Sequence, residues 1–156
     1  MQIVIVGGVA GGAACAARLR RLDENTKITI IEKGPYVSFA NCGLPYFLSG
    51  VIADRDNLFV ADKKLFEKRF NINVLDNTTV TSINRNNKYV NLQDKEKTFT
   101  LNYDVLILSP GSNAIVPPFA SGIDGVFTLR TVPDVDAIKA RIKSRNAKKV
   151  LVVGGG

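Results

Sequence analysis

Residues 2–12 read QIVIVGGVAGG, and this stretch decides the fold. Its first half is almost wholly apolar and β-branched, a pattern typical of a buried strand. Glycines then interrupt the strand, and residues 13–22, rich in alanine and leucine, favour a helix. A second buried strand is predicted at residues 27–31. Strand, glycine turn, helix and strand make a β-α-β unit with two parallel strands, so the sequence predicts an α/β fold.

The glycine run has the form of a dinucleotide-binding turn. Gly7 would allow the tight turn after the strand, and Gly12 would let helix and strand pack closely. Val9 stands where the GxGxxG spacing has its middle glycine. Backbone N–H groups at the start of the helix would face a pyrophosphate, aided by the helix dipole. The candidate nucleotide contacts are Gly7, Gly8, Val9, Ala10, Gly11 and Gly12.

An acidic residue, Glu32, stands 20 residues after Gly12, at the end of the second predicted strand. A carboxylate at this place would bind the hydroxyls of an adenosine ribose. It favours an unphosphorylated ribose, and therefore FAD or NAD rather than NADP. A glycine-rich turn without a ligand is the alternative. The strand before the turn, the helix after it and Glu32 together favour the nucleotide.

After residue 77 the apolar pattern changes to alternation along short β-branched segments. Such segments, joined by turns rich in asparagine, aspartate and lysine, predict an antiparallel meander inserted in the parallel fold. The strands of the meander are predicted at 78–84, 89–92 and 98–101, its turns at 86–87 and 94–97, and a further buried strand at 103–108.

The rest of the chain predicts helices and strands of ordinary α/β type. An amphipathic helix is predicted with Asp62 as its N-cap, and another begins at a proline, with Thr131 or Val132 before it. The last apolar run leads into three glycines, as the first one does, and predicts the entrance to a second nucleotide-binding unit. These helices are predicted at 46–48, 62–70 and 133–144, the strands at 127–129 and 149–153, and the domains at 1–148 and 149–156, the latter a truncated NAD(P)-binding domain.

Composition excludes several classes of site. No histidine occurs among the 156 residues, which excludes serine–histidine and cysteine–histidine nucleophile pairs within the chain. Cys15 and Cys42 are the only cysteines, too few for a disulfide scaffold or a structural zinc site, and they favour a reducing, cytoplasmic setting. The N-terminus has no signal-peptide pattern. The net charge of +7 favours anionic partners, yet no motif indicates nucleic acid and no apolar run is long enough for a membrane span.

The two cysteines stand in different surroundings. Cys15 lies in the alanine-rich helix, where a small buried hydrophobe is the ordinary role of cysteine. Cys42 lies among asparagine, glycine and proline, in a predicted loop at residues 34–45. If a helix begins there, its N–H groups would stabilise a thiolate. A reactive role and a structural role are both open for Cys42 on position alone.

The whole chain resembles the N-terminal part of pyridine nucleotide–disulfide oxidoreductases, especially the coenzyme A-disulfide reductase and NAD(P)H persulfide reductase group. The resemblance rests on residues 5–12 (IVGGVAGG), 38–46 (SFANCGLPY) and 106–112 (LILSPGS). The segment around Cys42 is the most specific of the three. Members of this group resemble the present sequence in lacking the middle glycine of GxGxxG, where Val9 stands. The resemblance implies a Rossmann-like parallel sheet that binds FAD, with NAD(P)H as the reductant of the full-length enzyme.

The resemblance also implies a single-cysteine enzyme. Two-cysteine members of the family have a C-x-x-x-x-C arrangement, whereas Phe47 stands five residues after Cys42 here. In place of an internal disulfide, the oxidised state of Cys42 in such an enzyme would be a mixed disulfide with a small thiol such as coenzyme A, a persulfide, or a sulfenic acid. Hydride would pass from NAD(P)H to FAD, and electrons would pass on to the sulfur of Cys42.

The same resemblance assigns the site residues. Cys42 would be catalytic, and Ser38 and Asn41 would orient the substrate beside it. Arg18 and Arg21 would meet the phosphates of coenzyme A, although a solvated helix end explains them equally well. The further FAD contacts implied are Glu32, Lys33, Thr79, Val80, Ser109, Pro110, Gly111 and Arg130.

The chain resembles only part of the family's enzyme and stops at the first glycines of an inserted NAD(P) domain. We therefore expect no reductase activity from the chain alone, and we expect self-association into a homodimer through exposed apolar surface. Two alternatives stay open: an NADH oxidase or peroxidase of the same fold that uses a sulfenic acid at Cys42, and a noncatalytic nucleotide-binding module.

Overall fold

The computed structural model of the protein describes residues 1–154. It contains two units, residues 1–40 with 59–112, and residues 41–58 with 113 onward. The strands are β1 (Gln2–Val6), β2 (Lys27–Ile31), β3 (Asn73–Leu75), β4 (Thr79–Asn84), β5 (Tyr89–Gln93), β6 (Thr98–Asn102) and β7 (Val105–Leu108). The α-helices are α1 (Ala10–Leu22), α2 (Leu44–Ser49), α3 (Lys63–Phe70) and α4 (Val132–Arg145), and 3-10 turns lie at Asn41–Gly43, Arg55–Leu58 and Pro118–Ala120.

The first unit contains a parallel sheet in the order β3-β2-β1-β7, and the parallel pair β1–β2 that the β-α-β pattern predicts is confirmed. Alternate residues of β1 enter two different cores because successive side chains of a strand point to opposite faces. Ile3 and Ile5 pack with Ala16 of α1 and Phe66 of α3, whereas Val4 packs against the meander. Both faces of the sheet are therefore covered. Open α/β sheets bind ligands at the carboxyl ends of their strands, so the turns there are candidate sites.

The antiparallel meander is confirmed as a separate sheet in the order β4-β5-β6. Its strand bounds agree with the predicted ones to within one residue. The short strand β3 was absent from the predictions, because three residues are too few for alternation to show. The last strand, β7, begins two residues later than predicted, since the Tyr103 N–H binds the Lys88 carbonyl at 2.9 Å.

Helix α1 begins at Ala10, three residues before its predicted start, so the glycine run itself is partly helical. Glycine disfavours a helix by about 1 kcal/mol relative to alanine, which is why propensity alone misplaced this boundary. The other end of α1 is held by Arg20, which is buried. Its guanidinium donates to the carbonyls of Phe70 at 2.8 Å and Asn71 at 2.8 Å, at the end of α3.

The loop after α1 is closed by Asp23. Its carboxylate accepts hydrogen bonds from the Thr26 hydroxyl and from the Asn25 N–H, the latter at 2.8 Å. The Thr26 hydrogen bond, followed by that of Asn25, holds the pKa of Asp23 below its usual value. The exposed carboxylate thus organises the entry into β2 at neutral pH.

Helix α3 begins after Asp62, as predicted, and the carboxylate accepts a hydrogen bond from the Leu65 N–H at 2.7 Å. Replacing Asp62 with alanine leaves this N–H without its protein partner, and we expect the free energy of unfolding to fall by about 1 kcal/mol. Urea denaturation followed by circular dichroism measures the change. Asp62→Asn keeps an accepting oxygen and should stay close to the parent; equal losses in both variants would contradict the capping role.

In the second unit, α2 packs against α4. Helix α4 begins with a capping box in which the Thr131 hydroxyl and the Asp134 carboxylate each accept a backbone N–H, which confirms the predicted start to within one residue. The short strand predicted at 127–129 is wrong, since these residues form no strand. They follow two turns at 121–125 and have no neighbouring strand within the described residues.

The buried strand predicted at 149–153 is also wrong for the chain as described, because these residues are exposed and unpaired; Leu151 is 87% exposed. A strand needs a neighbour to satisfy its backbone groups, and none pairs with it within residues 1–154. The glycine turn predicted to follow includes Gly155 and Gly156, which lie outside the described residues, and the boundary at residue 148 stays a prediction. Within residues 1–154, no helix is both long and apolar enough to cross a bilayer.

Candidate functional site

The glycine turn between β1 and α1 is a place of very close backbone approach. Gly7 has φ +94°, which favours glycine, and a Cβ on it would overlap the Ser109 carbonyl oxygen. A Cβ on Gly12 would overlap the Gly7 carbonyl oxygen. The turn, the start of α1 and the end of β7 therefore meet at distances that only glycine permits at these two positions.

The other two glycines line the same turn. A Cβ on Gly8 would stand 2.8 Å from the Ile30 and Val37 side chains, and one on Gly11 would stand 2.6 Å from the Ser109 hydroxyl. Val9 precedes α1 as its N-cap, and no side chain caps the helix there. The N–H groups of the first turn of α1 are thus left for an external acceptor, and Gly11 is exposed.

Glu32 lies beside this turn, and its side chain is 8% exposed. One carboxylate oxygen accepts the Gly8 N–H at 2.8 Å and the other accepts the Gly34 N–H at 2.8 Å. The Glu32 backbone binds the Leu75 carbonyl at 2.9 Å and the Thr78 N–H at 3.0 Å. Each carboxylate oxygen has two acceptor positions, so both retain one for a ribose hydroxyl.

The glycine turn and Glu32 fit the adenosine diphosphate half of FAD. The glycines leave room for a pyrophosphate at an uncapped helix start, and the carboxylate is fixed next to it. Sequence reasoning missed Gly34 and Val37, which orient Glu32 and support Gly8. The Gly34-Pro35 pair, two residues after Glu32, was the available signal, since it marks a turn.

The other predicted cofactor residues lie at several places. Thr79 and Val80 open β4, directly after the residue whose N–H binds Glu32, and Lys33 is exposed beside Glu32. Ser109 follows β7, and its N–H binds the Val6 carbonyl at 2.7 Å. The following residues, Pro110 and Gly111, are exposed, Gly111 with φ +71°. Arg130 belongs to the second unit.

The predicted substrate residues of the first unit are Arg18, Arg21 and Ser38. Arg18 and Arg21 are exposed one helical turn apart on α1, and the arginine between them is the buried Arg20. Ser38 has φ +49°, an uncommon backbone conformation for serine. Its N–H donates to the Gly8 carbonyl at 2.9 Å and its carbonyl accepts the Val60 N–H at 2.8 Å, which hold that conformation.

Cys42 is exposed, in the 3-10 turn that leads directly into α2. The helix predicted at 46–48 is present as α2, and it begins at Leu44, two residues before the predicted start. The Asn41 side-chain amide donates to the Arg130 carbonyl at 3.3 Å, and the Arg130 N–H donates to the Asp134 carboxylate at 2.9 Å. The turn that carries Cys42 is thus bonded to the segment before α4.

Phe47, at the position of the second cysteine of two-cysteine reductases, is buried in α2 and is 5% exposed. Both cysteines are free thiols. Within residues 1–154, no group of three or more histidine, cysteine, aspartate or glutamate side chains is placed to hold a metal. Of the two thiols, that of Cys42 is the more exposed.

Comparisons with known proteins identify the family of this chain. The family model described as pyridine nucleotide-disulphide oxidoreductase matches residues 1–156. The coenzyme A disulfide reductase of Staphylococcus haemolyticus is 45% identical over 99% of this chain and 35% of its own length. That of Staphylococcus aureus strain JH9 is 43% identical over the same shares. This chain thus spans about a third of the length of these curated relatives.

Solved structures show the same fold. Reduced Bacillus anthracis CoADR-RHD superposes with a TM-score of 0.90 at 48% identity, over 93% of this chain and 27% of that one. A NAD-dependent persulfide reductase from A. fulgidus gives a TM-score of 0.87 at 36% identity, over 92% of this chain and 27% of that one. The parallel sheet with its separate meander is the fold of these oxidoreductases, and the chain belongs to the pyridine nucleotide-disulphide oxidoreductase family.

Proposed function

We propose that this chain supplies the FAD-binding and sulfur-bearing part of an NAD(P)H-dependent, single-cysteine oxidoreductase that reduces coenzyme A disulfide or a persulfide or polysulfide. The observation that carries the cofactor assignment is the turn of Gly7–Gly12 with the buried carboxylate of Glu32 bonded to it. The relatives named coenzyme A disulfide reductase and persulfide reductase support the substrate class. The two free cysteines support a reducing, cytoplasmic setting.

In this proposal the first unit binds the nucleotide. The start of α1 binds the pyrophosphate, Glu32 binds the adenosine ribose, and Lys33 flanks the adenosine. Thr79 and Val80 contact the adenine through their backbones. Ser109, Pro110 and Gly111 close over the cofactor, and Arg130 is a further proposed FAD residue. When bound, FAD supplies two-electron transfer between NAD(P)H and sulfur.

Cys42 performs the sulfur chemistry. Its thiolate attacks one sulfur of a disulfide, which forms a mixed disulfide with Cys42 and releases one thiolate product. Two electrons that originate from NAD(P)H then break the mixed disulfide, release the second thiolate and restore Cys42. Exposure of Cys42 allows a small substrate to reach it. Ser38 and Asn41 orient that substrate, and Arg18 and Arg21 meet its phosphate groups when it is coenzyme A disulfide.

An NADH oxidase that uses a sulfenic acid is the second candidate. The water-forming NADH oxidase of Lactobacillus brevis has the same fold, with a TM-score of 0.85, but it is only 25% identical to this chain. The reductase relatives are 36% to 48% identical in the solved structures. Higher identity over the same residues favours the disulfide or persulfide substrate.

We propose a homodimer for the enzyme, since exposed apolar residues such as Phe119 and Leu108 are available for association.

The cofactor assignment is tested by adding FAD to the chain and recording its visible absorption and fluorescence. Glu32→Gln replaces one accepting oxygen with a donating NH2 group, which must face the N–H of Gly8 or Gly34. We expect FAD affinity to fall by about tenfold or more, and stability without FAD to fall by about 1–3 kcal/mol.

Glu67→Gln is the matched control, because Glu67 is exposed on α3 and the change in charge is the same. It should leave both FAD affinity and stability unchanged. If the parent chain binds no FAD at high concentration, the proposal that this chain itself holds the cofactor fails. If Glu32→Gln binds FAD as well as the parent, the assignment of Glu32 and its turn to FAD fails.

A further inference from the structure

One face of α4 lies against the segment that carries Cys42. Val132, Val135, Asp136 and Lys139 recur at helical spacing, so they share one face, which we call the α4 inner face. Val132 and Val135 are fully buried. The Asp136 carboxylate accepts three hydrogen bonds from the Arg55 guanidinium, at 2.8, 3.0 and 3.2 Å. The α4 inner face therefore combines buried valines with hydrogen bonds from Arg55 of the segment 41–58.

Lys139 makes the most unusual of these contacts. Its ammonium lies 3.8 Å from the centre of the Phe47 ring and donates to the Phe47 carbonyl at 3.2 Å. Phe47 lies near the C-terminal end of α2, where carbonyls lack partners within the helix and where a cation is favoured. One side chain thus satisfies a backbone acceptor and covers a buried aromatic ring.

Helix α2 needs such support from outside. It has only six residues, and its N-cap position, Gly43, offers no side-chain hydrogen bond. Isolated helices of this length are unstable in water, so tertiary contacts determine whether α2 forms. Its C-terminal end is closed by Gly50, whose N–H binds the Phe47 carbonyl at 3.3 Å, and by Lys139.

We propose that Lys139 is a positioning residue for Cys42. It acts through Phe47, which holds α2 in place and with it the adjoining turn of Asn41–Gly43. The single-cysteine arrangement makes this possible, because the position five residues after Cys42 carries an aromatic ring instead of a second thiol. The importance of a fixed Cys42 for the reaction rests on the proposed function, whereas the restraint of α2 by Lys139 does not depend on it.

A spin label on Cys42 tests the restraint directly, because a nitroxide reports the local mobility of its backbone. In a Cys15→Ala background, a methanethiosulfonate nitroxide modifies Cys42 alone. The parent should show an immobilised spectral component. Lys139→Met should lose that component, and hydrogen exchange of the α2 amides should become about tenfold faster. Lys139→Arg retains the cation and its donors and should restore both signals.

Lys143→Met is the matched control, one turn further along α4 at an exposed position. It should give the parent spectrum, and far-UV circular dichroism confirms that each variant is folded. The proposal is overturned if Lys139→Met keeps the immobilised component, or if Lys139→Arg and Lys139→Met change the label spectrum equally. The proposal is also overturned if Lys139→Met is unfolded while Lys139→Gln is folded and keeps the label mobility of the parent. Failure of Cys42 to react with a disulfide would instead refute the proposed function and leave the label result standing.

Discussion

Replacing Gly12 with alanine is expected to lower the free energy of unfolding by more than about 3 kcal/mol and to abolish FAD binding. The added Cβ would overlap the carbonyl oxygen of Gly7, a backbone atom that cannot rotate away. The start of α1 would have to move from β1, and the proposed pyrophosphate cradle would open with it. Urea denaturation of the chain and titration with FAD measure the two effects separately.

Gly11→Ala provides the control for this prediction. Gly11 is the neighbouring glycine on α1, but its added Cβ would meet only the Ser109 hydroxyl, at 2.6 Å, which can rotate. Alanine also favours the helix by up to about 1 kcal/mol, so the stability should change by no more than about 1 kcal/mol in either direction. Equal stability of Gly12→Ala and Gly11→Ala would show that the close approach is not a constraint in solution.

Replacing Cys42 with serine is expected to abolish the reaction of the chain with coenzyme A disulfide. A serine hydroxyl does not attack a disulfide, whereas the exposed Cys42 thiolate should form one mixed disulfide per chain and release one coenzyme A thiol. Intact-mass measurement and release of the thiol count the two products. Because the side chain is exposed, stability should change by less than about 0.5 kcal/mol.

Cys15→Ser is the comparison for this variant, since the half-buried Cys15 lies on α1 and is not expected to react. It should retain the full coenzyme A adduct. If the adduct persists in Cys42→Ser and disappears in Cys15→Ser, then Cys15 is the reacting cysteine and the proposed role of Cys42 is wrong. A parent chain without any adduct would refute the proposed role of Cys42.

The fold was largely predictable because its decisive signals are local. Residues 2–6 and 27–31 are short apolar runs around a glycine turn, and both strands have the predicted bounds. Asp62 was identified from the ordinary chemistry of a helix cap, which needs only neighbouring residues. The start of α1 was misplaced because glycine propensity disfavours a helix that close packing nevertheless requires.

Longer-range information was needed where a segment depends on a distant partner. The strand predicted at 149–153 has the right residue types, but no strand pairs with it in the described chain. The three residues of β3 form a strand only because β2 lies beside them. Arg18, Arg20 and Arg21 lie within four consecutive residues, yet only Arg20 is buried, because its guanidinium binds the carbonyls that end α3.

The sequence by itself determined the α/β class, the glycine turn, the acidic residue that follows it and the absence of a second cysteine five residues after Cys42, since each depends on spacing along the chain. Only the tertiary structure decided which atoms meet. It brought the Gly8 N–H to the Glu32 carboxylate across 24 residues and the Lys139 ammonium to Phe47 across 92. Contacts between residues so far apart depend on how helices and strands pack, and no local pattern of residue types encodes that packing.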